Sequence, residues 1–249
     1  MTRPGTLYGI GVGPGDPELV TLKAVRVLGA VDAVFAASSS KNDYSIAEAI
    51  VAPHLPANRE LTRLPFPMTR DQSALDAAWA KNAQAMAEVL ATGRDAAFIT
   101  LGDPLLYSTF GYVLPRLRAL VPGLAVEIVP GITSFQAAAA RTGQVLAEAG
   151  ENLLVASGID DDGRLAAALE TADNAVILKA YKSFPRLRAL LAGLGLARGT
   201  TFVTRLGHDG EAVEHDLDSA PERPHYLSLC LIKRSRARVA STKSAEGIS

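Results

Sequence analysis

The stretch Gly9-Ile-Gly-Val-Gly-Pro-Gly-Asp-Pro17 decides how the chain begins to fold. The apolar residues 6–10 predict a short β-strand that runs directly into these glycines. Pro17 suits the first turn of a helix, Asp16 suits its N-cap, and Glu18 favours the positive end of the helix dipole. The stretch therefore predicts a strand, a glycine turn and a helix, in which the backbone can approach a ligand closely.

This turn does not match the two common phosphate-binding patterns. The dinucleotide fingerprint needs a third glycine at its sixth position, which is Pro14 when counted from Gly9 and Asp16 when counted from Gly11. The nucleotide P-loop needs Gly-Lys-Ser/Thr, and that sequence does not follow here. The turn therefore indicates another small ligand, and the alternative is a tight turn that binds nothing.

Two more turns follow predicted strands further along. They are Leu101-Gly-Asp-Pro-Leu-Leu-Tyr107 and Val129-Pro-Gly-Ile-Thr-Ser-Phe135. Ligands of open α/β sheets collect at the carboxyl ends of strands. Asp103 can accept hydrogen bonds from an amine or a ribose hydroxyl, and Thr133 and Ser134 can bind a carboxylate. Plain turn formation and helix capping are the alternatives for both motifs.

The order of elements predicts the fold class. The first half alternates strands and helices, which is typical of a mostly parallel sheet. In the second half the last predicted strands, residues 200–205, 211–216 and 226–233, follow one another without helices, which favours a mixed sheet. We expect two α/β lobes with a ligand cleft between them: residues 1–120, residues 121–236, and a flexible tail at residues 237–249.

Composition restricts the classes of protein that are plausible. The 249 residues are 48% hydrophobic, enough for a sizeable core in one or two domains. Lys and Arg total 25 and Asp and Glu total 26, so the near-neutral chain is not expected to bind nucleic acid. No apolar run approaches the roughly 18 residues of a membrane span, and no signal peptide is evident. We therefore expect a cytoplasmic protein without a membrane segment.

The metal-binding and redox side chains are few. The single cysteine, Cys230, lies in an apolar run, which predicts a buried thiol that forms no disulfide. The histidines His54, His208, His215 and His225 are scattered without ligand spacing. We expect no metal site, and structural or surface roles for the histidines.

The order and spacing of the three turns resemble the tetrapyrrole (corrin and porphyrin) methylases, the class III S-adenosylmethionine-dependent methyltransferases. The resemblance extends from about residue 6 to residue 233, and the opening from Leu7 to Ala24 is its most specific part. Residues 38–47 and Pro65-Phe-Pro-Met68 are most similar to the branch that methylates C-20 of precorrin-2 or cobalt-factor II in cobalamin synthesis. The resemblance implies a homodimer with S-adenosylmethionine between the two lobes and a tetrapyrrole as substrate.

The resemblance also implies which residues form the site. Cofactor contacts are expected at the turns and at two later strand ends, namely Pro14, Leu101, Gly102, Asp103, Leu106, Tyr107, Thr133, Ser134, Lys179, Ala180, Tyr181 and Leu206. The stretch Ile177-Leu-Lys-Ala-Tyr-Lys182 departs from the Tyr-Met-Gly of better-known members. The carboxylates of the substrate favour basic side chains and backbone donors, so its expected contacts are Gly13, Gly15, Asp16, Lys41 and Arg63.

Methyl transfer from a sulfonium needs alignment and a dry site more than it needs a catalytic set. No Ser/His/Asp or Cys/His set is visible, and the residue that would accept a proton is left open among Asp103, Tyr107 and the histidines. Two other functions stay open on the sequence. One is a sibling methylase acting at another macrocycle carbon or on a diphthamide precursor, and the other is a noncatalytic nucleotide-binding module.

Overall fold

The computed structural model describes residues 3–39, 45–57, 59–158 and 161–234. These residues divide into two compact units. The first unit takes the described residues up to Gln144 together with Val203–Ala212, and the second takes Val145–Phe202 with the described residues from Val213 onward. None of the helices in these residues combines the length and the apolar character that crossing a membrane requires.

The first unit is built on a parallel sheet. Its strands are β1 (Thr6–Gly11), β2 (Ala33–Ser39), β3 (Leu61–Phe66), β4 (Ala96–Thr100) and β5 (Ala125–Val129). They lie in the order β3-β2-β4-β1-β5, and every pairing is parallel. The helices are α1 (Leu22–Ala30), α2 (Ile46–Val51), α3 (Gln72–Ala91), α4 (Phe110–Leu120) and α5 (Ser134–Thr142).

Two hydrophobic cores explain why the central strands of this sheet are largely apolar. Phe98 packs in one core with Phe110 of α4 and Met86 of α3. Its neighbour Ile99 packs in the other core with residues of α1 and α2. Because alternate side chains of a strand point to opposite faces, a sheet that is covered on both faces needs apolar residues at every position. All five residues of β4 are accordingly buried.

The second unit carries a mixed sheet. Its strands are β6 (Leu153–Ser157), β7 (Asn174–Leu178), β8 (Thr200–Thr204), β9 (Ala212–Glu214) and β10 (Ser228–Lys233), and its helices are α6 (Asp162–Thr171) and α7 (Phe184–Gly193). The order is β6-β7-β10-β8-β9, with β6 parallel to β7 and β10 antiparallel to β7. The predicted fold class, two α/β regions with a parallel first sheet and a mixed second sheet, is therefore confirmed. The ligand cleft expected between them stays a prediction.

The first sheet extends further along the chain than we expected from the sequence. β5 lies beyond residue 120, where the first lobe was expected to end, yet it pairs with β1 over five residues. Those hydrogen bonds keep residues 121–144 in the first compact unit. The flexible tail expected at residues 237–249 lies outside the described residues.

The single cysteine behaves as the sequence predicts. Cys230 is buried in the core of the second unit, and it is not part of a disulfide. Burial raises the pKa of its thiol to about 12, so the thiol stays protonated at neutral pH. A thiol of this kind is unreactive and acts as a small apolar side chain.

Candidate functional site

The first two turns pair with each other through their backbones. Beyond β1, Val12 N–H donates to the Thr100 carbonyl at 3.0 Å. Gly13 and Gly102 then exchange two backbone hydrogen bonds, of 3.3 and 2.8 Å. Both glycines have a positive φ, of 81° and 70°, which residues with a side chain rarely adopt. The glycine turn is therefore joined to the turn after β4 by an isolated antiparallel bridge beyond the parallel pairing of β1 and β4.

The third turn packs against the same place. A Cβ atom at Gly11 would lie 2.5 Å from the Gly102 carbonyl oxygen and 2.6 Å from Gly131 N. A Cβ atom at Gly131 would collide with that carbonyl oxygen as well. The three motifs thus meet backbone against backbone, and side chains are excluded where they meet. This contact brings Gly13, Gly102 and Asp103 of the expected site together.

Asp103 joins two of the turns through its carboxylate. Its Oδ1 accepts a hydrogen bond from Leu105 N at 2.8 Å, which closes its own turn. Its Oδ2 accepts one from Gly131 N at 3.1 Å, which ties this turn to the third. A carboxylate has about four acceptor positions, so Asp103 retains the capacity to accept further hydrogen bonds.

Thr133 acts as a helix cap. Its hydroxyl accepts a hydrogen bond from Gln136 N at 3.3 Å, and the Gln136 side chain accepts one from Thr133 N at 3.0 Å. This capping box satisfies two backbone donors at the start of α5. Ser134 is the first residue of that helix. The capping that the sequence left open for Thr133 is therefore present.

Asp16 also caps a helix, although a shorter one than expected. Its Oδ1 accepts a hydrogen bond from Glu18 N at 2.9 Å, and a 3₁₀ helix spans Pro17–Leu19. α1 begins only at Leu22, where the Thr21 side chain accepts from Ala24 N. The expected helix start at Pro17 is therefore a single 3₁₀ turn that precedes α1.

The turn after β8 belongs to the same place in the first unit. A Cβ atom at Gly15 would lie 2.5 Å from the Leu206 carbonyl oxygen and 2.9 Å from His208 Nε2. A Cβ atom at Gly207 would lie 2.6 Å from Asp16 N. Residues 14–16 and 206–208 are therefore packed too tightly for side chains at either glycine. This contact places Leu206 near Pro14, and both residues line one cavity.

A cavity of about 450 Å³ opens beside this contact. It lies within the roughly 300–1,000 Å³ that small-molecule sites occupy, and much of its surface is apolar. Its lining includes three residues of the expected site, Pro14, Asp16 and Leu206, together with Ile132 and Ala137.

An ion pair at this cavity holds the turn after β8. Glu211 accepts hydrogen bonds from Gly207 N at 2.8 Å and from Arg141 Nε at 2.6 Å. The bond from Gly207, aided by Arg141, lowers the pKa of Glu211 below its ordinary value. Glu211 was not foreseen from the sequence, because nothing near it in the chain marks it as a partner of α5.

His208 lies against the glycine turn. Desolvation lowers its pKa below the ordinary value, although the Pro14 carbonyl opposes this shift. Its Nε2 is buried and has no hydrogen-bond partner in the described part of the chain. His208 is therefore a largely neutral ring beside Pro14 and Gly15 at neutral pH, which matches a structural role.

The expected residues of the second unit lie at the carboxyl end of β7. Lys179 has a positive φ of 56°. Ala180 is buried, and its N–H donates to the Ser228 carbonyl at 3.1 Å. Tyr181 packs edge-on against Tyr226 with ring centroids 6.4 Å apart. These contacts fix the strand end that the sequence singled out.

The remaining expected residues have different surroundings. Leu101 is partly buried and packs against the core of the first unit. Leu106 is half-buried. Tyr107 is half exposed and has a positive φ of 51°. Arg63 donates to both carboxylate oxygens of Glu48, at 2.6 and 2.9 Å. Lys41 lies outside the described residues. No group of three metal-binding side chains occurs among the described residues.

Residues 6–220 match the family model described as Tetrapyrrole (Corrin/Porphyrin) Methylases. The chain belongs to this family. It is 36% identical to the cobalt-precorrin-2 C(20)-methyltransferase of Salmonella typhimurium, over 92% of this chain and 97% of that protein. It is 33% identical to the precorrin-2 C(20)-methyltransferase of Sinorhizobium sp, over 92% and 95%.

Solved structures agree with this assignment. A uroporphyrin-III-C-methyltransferase from Thermus thermophilus has a TM-score of 0.62 and 26% identity, with 92% of each chain covered. The tetrapyrrole methylase resemblance is therefore confirmed, and the chain is a member of a methyltransferase family rather than a noncatalytic nucleotide-binding module.

Proposed function

We propose that this chain transfers a methyl group from S-adenosylmethionine to C-20 of precorrin-2 or of its cobalt-containing counterpart, cobalt-factor II. The observation that carries the proposal is the meeting of three strand-end turns beside an apolar cavity in a member of a methylase family. Relatives that cover nearly all of this chain are named for methylation at C-20 of precorrin-2 or cobalt-precorrin-2. They support the position of the methyl group but differ in the presence of cobalt.

The cofactor contacts are part of the same proposal, and a neighbouring cavity and a buried hydroxyl support them. The proposed contacts are those that the family resemblance implies, namely Pro14, Leu101, Gly102, Asp103, Leu106, Tyr107, Thr133, Ser134, Leu206, Lys179, Ala180 and Tyr181. The cavity beside Pro14 and Leu206 offers an apolar surface of suitable volume for part of such a molecule. The buried Thr100 hydroxyl at the end of β4 has no hydrogen-bond partner among the described residues, and it can bind a polar group there.

S-adenosylmethionine supplies, when bound, an electrophilic methyl group on a sulfonium. The task of the protein is to hold the donor and the acceptor carbon in line and to exclude water. The backbone contacts among Gly11, Gly102 and Gly131 make the turns rigid, which suits positioning. The Asp103 carboxylate, fixed by two backbone N–H groups, places a negative charge that favours a cationic ligand.

The expected substrate contacts also remain proposals. Gly13 and Gly15 stay in the proposed substrate set on the family resemblance, although Leu206 and His208 fill the space that a side chain at Gly15 would occupy. Arg63 would bind a carboxylate of the substrate while it shares its guanidinium with Glu48. Asp16 lines the cavity, and Lys41 completes the set.

Incubation with S-adenosylmethionine and each macrocycle, with and without cobalt, tests the proposal by mass spectrometry and by NMR of the new methyl position. We expect one added methyl group at C-20. A methyl group at another carbon would instead establish a sibling methylase of the same family. If calorimetry detected no binding of S-adenosylmethionine to the purified protein, the proposal would be wrong.

Two variants separate the cofactor contacts from the substrate contacts. We expect Asp103→Ala to weaken S-adenosylmethionine binding, and Lys41→Ala to raise the KM for the tetrapyrrole with little effect on the cofactor. Unchanged cofactor affinity in Asp103→Ala would remove that residue from the cofactor set.

The assembly and location belong to the same proposal. Family resemblance supports a homodimer that works in the cytoplasm on a freely diffusing tetrapyrrole. Light scattering coupled to size-exclusion chromatography measures the mass directly, and a monomer at working concentrations would contradict the dimer.

A further inference from the structure

A second pocket lies wholly in the second unit, at the carboxyl ends of β6 and β7 and between α6 and α7. Three basic side chains line it, Lys179, Lys182 and Arg186, together with Ser157 and Ser183. These residues come from the end of β6, the loop between β7 and α7, and the first turn of α7. Lys179 and Ala180 of this lining also belong to the proposed cofactor set, whereas the proposed methyl transfer assigns no role to Lys182, Ser183 or Arg186.

The charges that line this pocket do not balance. Asp162 is the only carboxylate among the lining residues, and it pairs with Arg186 Nε at 2.6 Å. Neither lysine forms an ion pair in the described part of the chain. Lys179 is exposed as a whole, but desolvation, followed by the charge of Lys182, lowers the pKa of its ammonium group. Among the described residues, the pocket therefore holds two lysine charges that have no carboxylate partner.

The backbone around the pocket is strained. Lys179 and Ser183 have positive φ values of 56° and 53°, and they are two of the four non-glycine residues with positive φ among the described residues. Such a conformation is unfavourable for a residue with a side chain. Strain of this kind often occurs at ligand-binding sites, where the surrounding structure maintains it. Here it occurs at both ends of the loop between β7 and α7, and both residues line the pocket.

The start of α7 adds to the positive potential. Ser183 is its N-cap residue, but the side chain makes no capping hydrogen bond. The first backbone N–H groups of a helix have no partner within the helix, and the dipole makes this end positive. Pro185, the second residue of α7, has no N–H, so this end offers fewer donors than most helices. Together with the lysines, the positive end of the helix suits a group that carries negative oxygen atoms.

The size of the pocket limits what can enter it. Its volume is about 30 Å³. At roughly 10–15 Å³ for each water-sized group, it accepts two or three such groups. This matches a carboxylate or the outer oxygens of a phosphate, and it is far too small for an adenine or a tetrapyrrole ring.

We propose that the pocket formed by Lys179, Lys182, Ser183 and Arg186 binds a small oxyanion group, either a carboxylate or a phosphate. The test below separates two sources of this group. The group is either a carboxylate at the rim of the tetrapyrrole, which rests on the proposed function, or a free anion such as inorganic phosphate, which does not. The chemistry of recognition is the same for both.

Binding of inorganic phosphate tests the pocket without any turnover. We would measure its affinity by calorimetry at constant ionic strength for the wild type, Lys182→Met and Lys179→Met, with Lys81→Met on α3 as the matched control. We expect phosphate to bind the wild type and Lys81→Met equally. Loss of one charged donor should weaken binding on the order of tenfold in the other two variants. No phosphate binding to the wild type, or equal affinity in all four proteins, would overturn the proposal.

Kinetics then identify the source of the anion. If the substrate supplies it, Lys182→Met raises the KM for the tetrapyrrole and leaves kcat unchanged, and phosphate competes with the substrate. If a free anion occupies the pocket, the KM of Lys182→Met equals that of the wild type and phosphate does not compete. Phosphate binding that depends on Lys182 supports the pocket in both cases, even if C-20 methylation were not observed.

Discussion

The strands of the two sheets end in different ways. In the first sheet the strand ends carry glycines, and Gly11, Gly102 and Gly131 meet with no room for a Cβ atom. In the second sheet β7 and β8 are followed directly by Lys179 and Arg205, which have positive φ values of 56° and 54° but keep long side chains. The first sheet therefore needs close approach of backbones at its ends, whereas the second uses a strained backbone to direct side chains.

Alanine at Gly131 should have the largest effect on this difference. The new Cβ atom would collide with the Gly102 carbonyl oxygen, and backbone cannot move aside as a side chain can. We expect Gly131→Ala to lower the free energy of unfolding by about 3 kcal/mol, measured by urea denaturation. Cofactor binding should fall as well, because the three turns would separate.

Gly111→Ala is the matched control for this substitution. Gly111 lies within α4, and a Cβ atom there would contact nothing within 4 Å. Alanine is the better helix former, so the control should raise the free energy of unfolding by about 0.5–1 kcal/mol. Equal stability of Gly131→Ala and the wild type would show that the turns can separate without cost.

The second prediction concerns the carboxylate that links two first-sheet turns. Asp103→Asn removes the charge that accepts hydrogen bonds from Leu105 N and Gly131 N. We expect a loss of about 1–2 kcal/mol in the free energy of unfolding and on the order of tenfold weaker cofactor binding by calorimetry.

Asp71→Asn provides the comparison for Asp103→Asn. Asp71 caps α3 by accepting from Ser73 N and Ala74 N, away from the turns. Asp71→Asn should lower the free energy of unfolding by up to about 1 kcal/mol and leave cofactor affinity unchanged. If both variants bound the cofactor like the wild type, Asp103 would serve only to build its turn.

The difference between the sheets also explains which features could be predicted from the sequence. Glycine and proline reveal a backbone constraint directly, so the three turns after β1, β4 and β5 were predicted in place. The residues around Lys179 do not predict its positive φ, because a lysine seldom adopts one. The strand end was therefore found through family resemblance, whereas its basic pocket was not foreseen.

Contacts between distant parts of the chain could not be predicted from the sequence either. The sequence indicated that Gly15 is part of a local glycine turn. In the structure, Leu206 and His208 lie so close to Gly15 that a side chain would not fit. Glu211 acquires its role from Arg141, 70 residues earlier. Periodicity and turn signals describe neighbours in sequence, so they predict strands and helices well but cannot reveal such partners.

The third prediction concerns the strained backbone at Lys179, at the end of a strand of the second sheet. Lys179→Gly relieves a conformation that costs about 1–2 kcal/mol but adds about 0.5–1 kcal/mol of chain entropy on folding. We therefore expect the free energy of unfolding to rise by about 0.5 kcal/mol, while phosphate binding weakens. Lys182→Gly, where φ is not positive, should lower stability instead. A loss of stability in Lys179→Gly would mean that the lysine side chain contributes more than its strain.

The smallest expected effect lies in the turn after β8, where Glu211 accepts from Gly207 N and Arg141. The folded pKa of Glu211 lies below its ordinary value of 4.5. Its contribution is therefore fully present above about that pH and is lost as the pH falls through the lowered folded pKa. Because Arg141 is exposed, we expect only a few tenths of a kcal/mol. Glu211→Gln should flatten the acid side of a plot of unfolding free energy against pH, whereas the exposed Glu222→Gln should not. If the two variants gave the same curve, the Glu211 pairing would not hold the turn, and the packing of Gly15 and Gly207 alone would keep Leu206 beside Pro14.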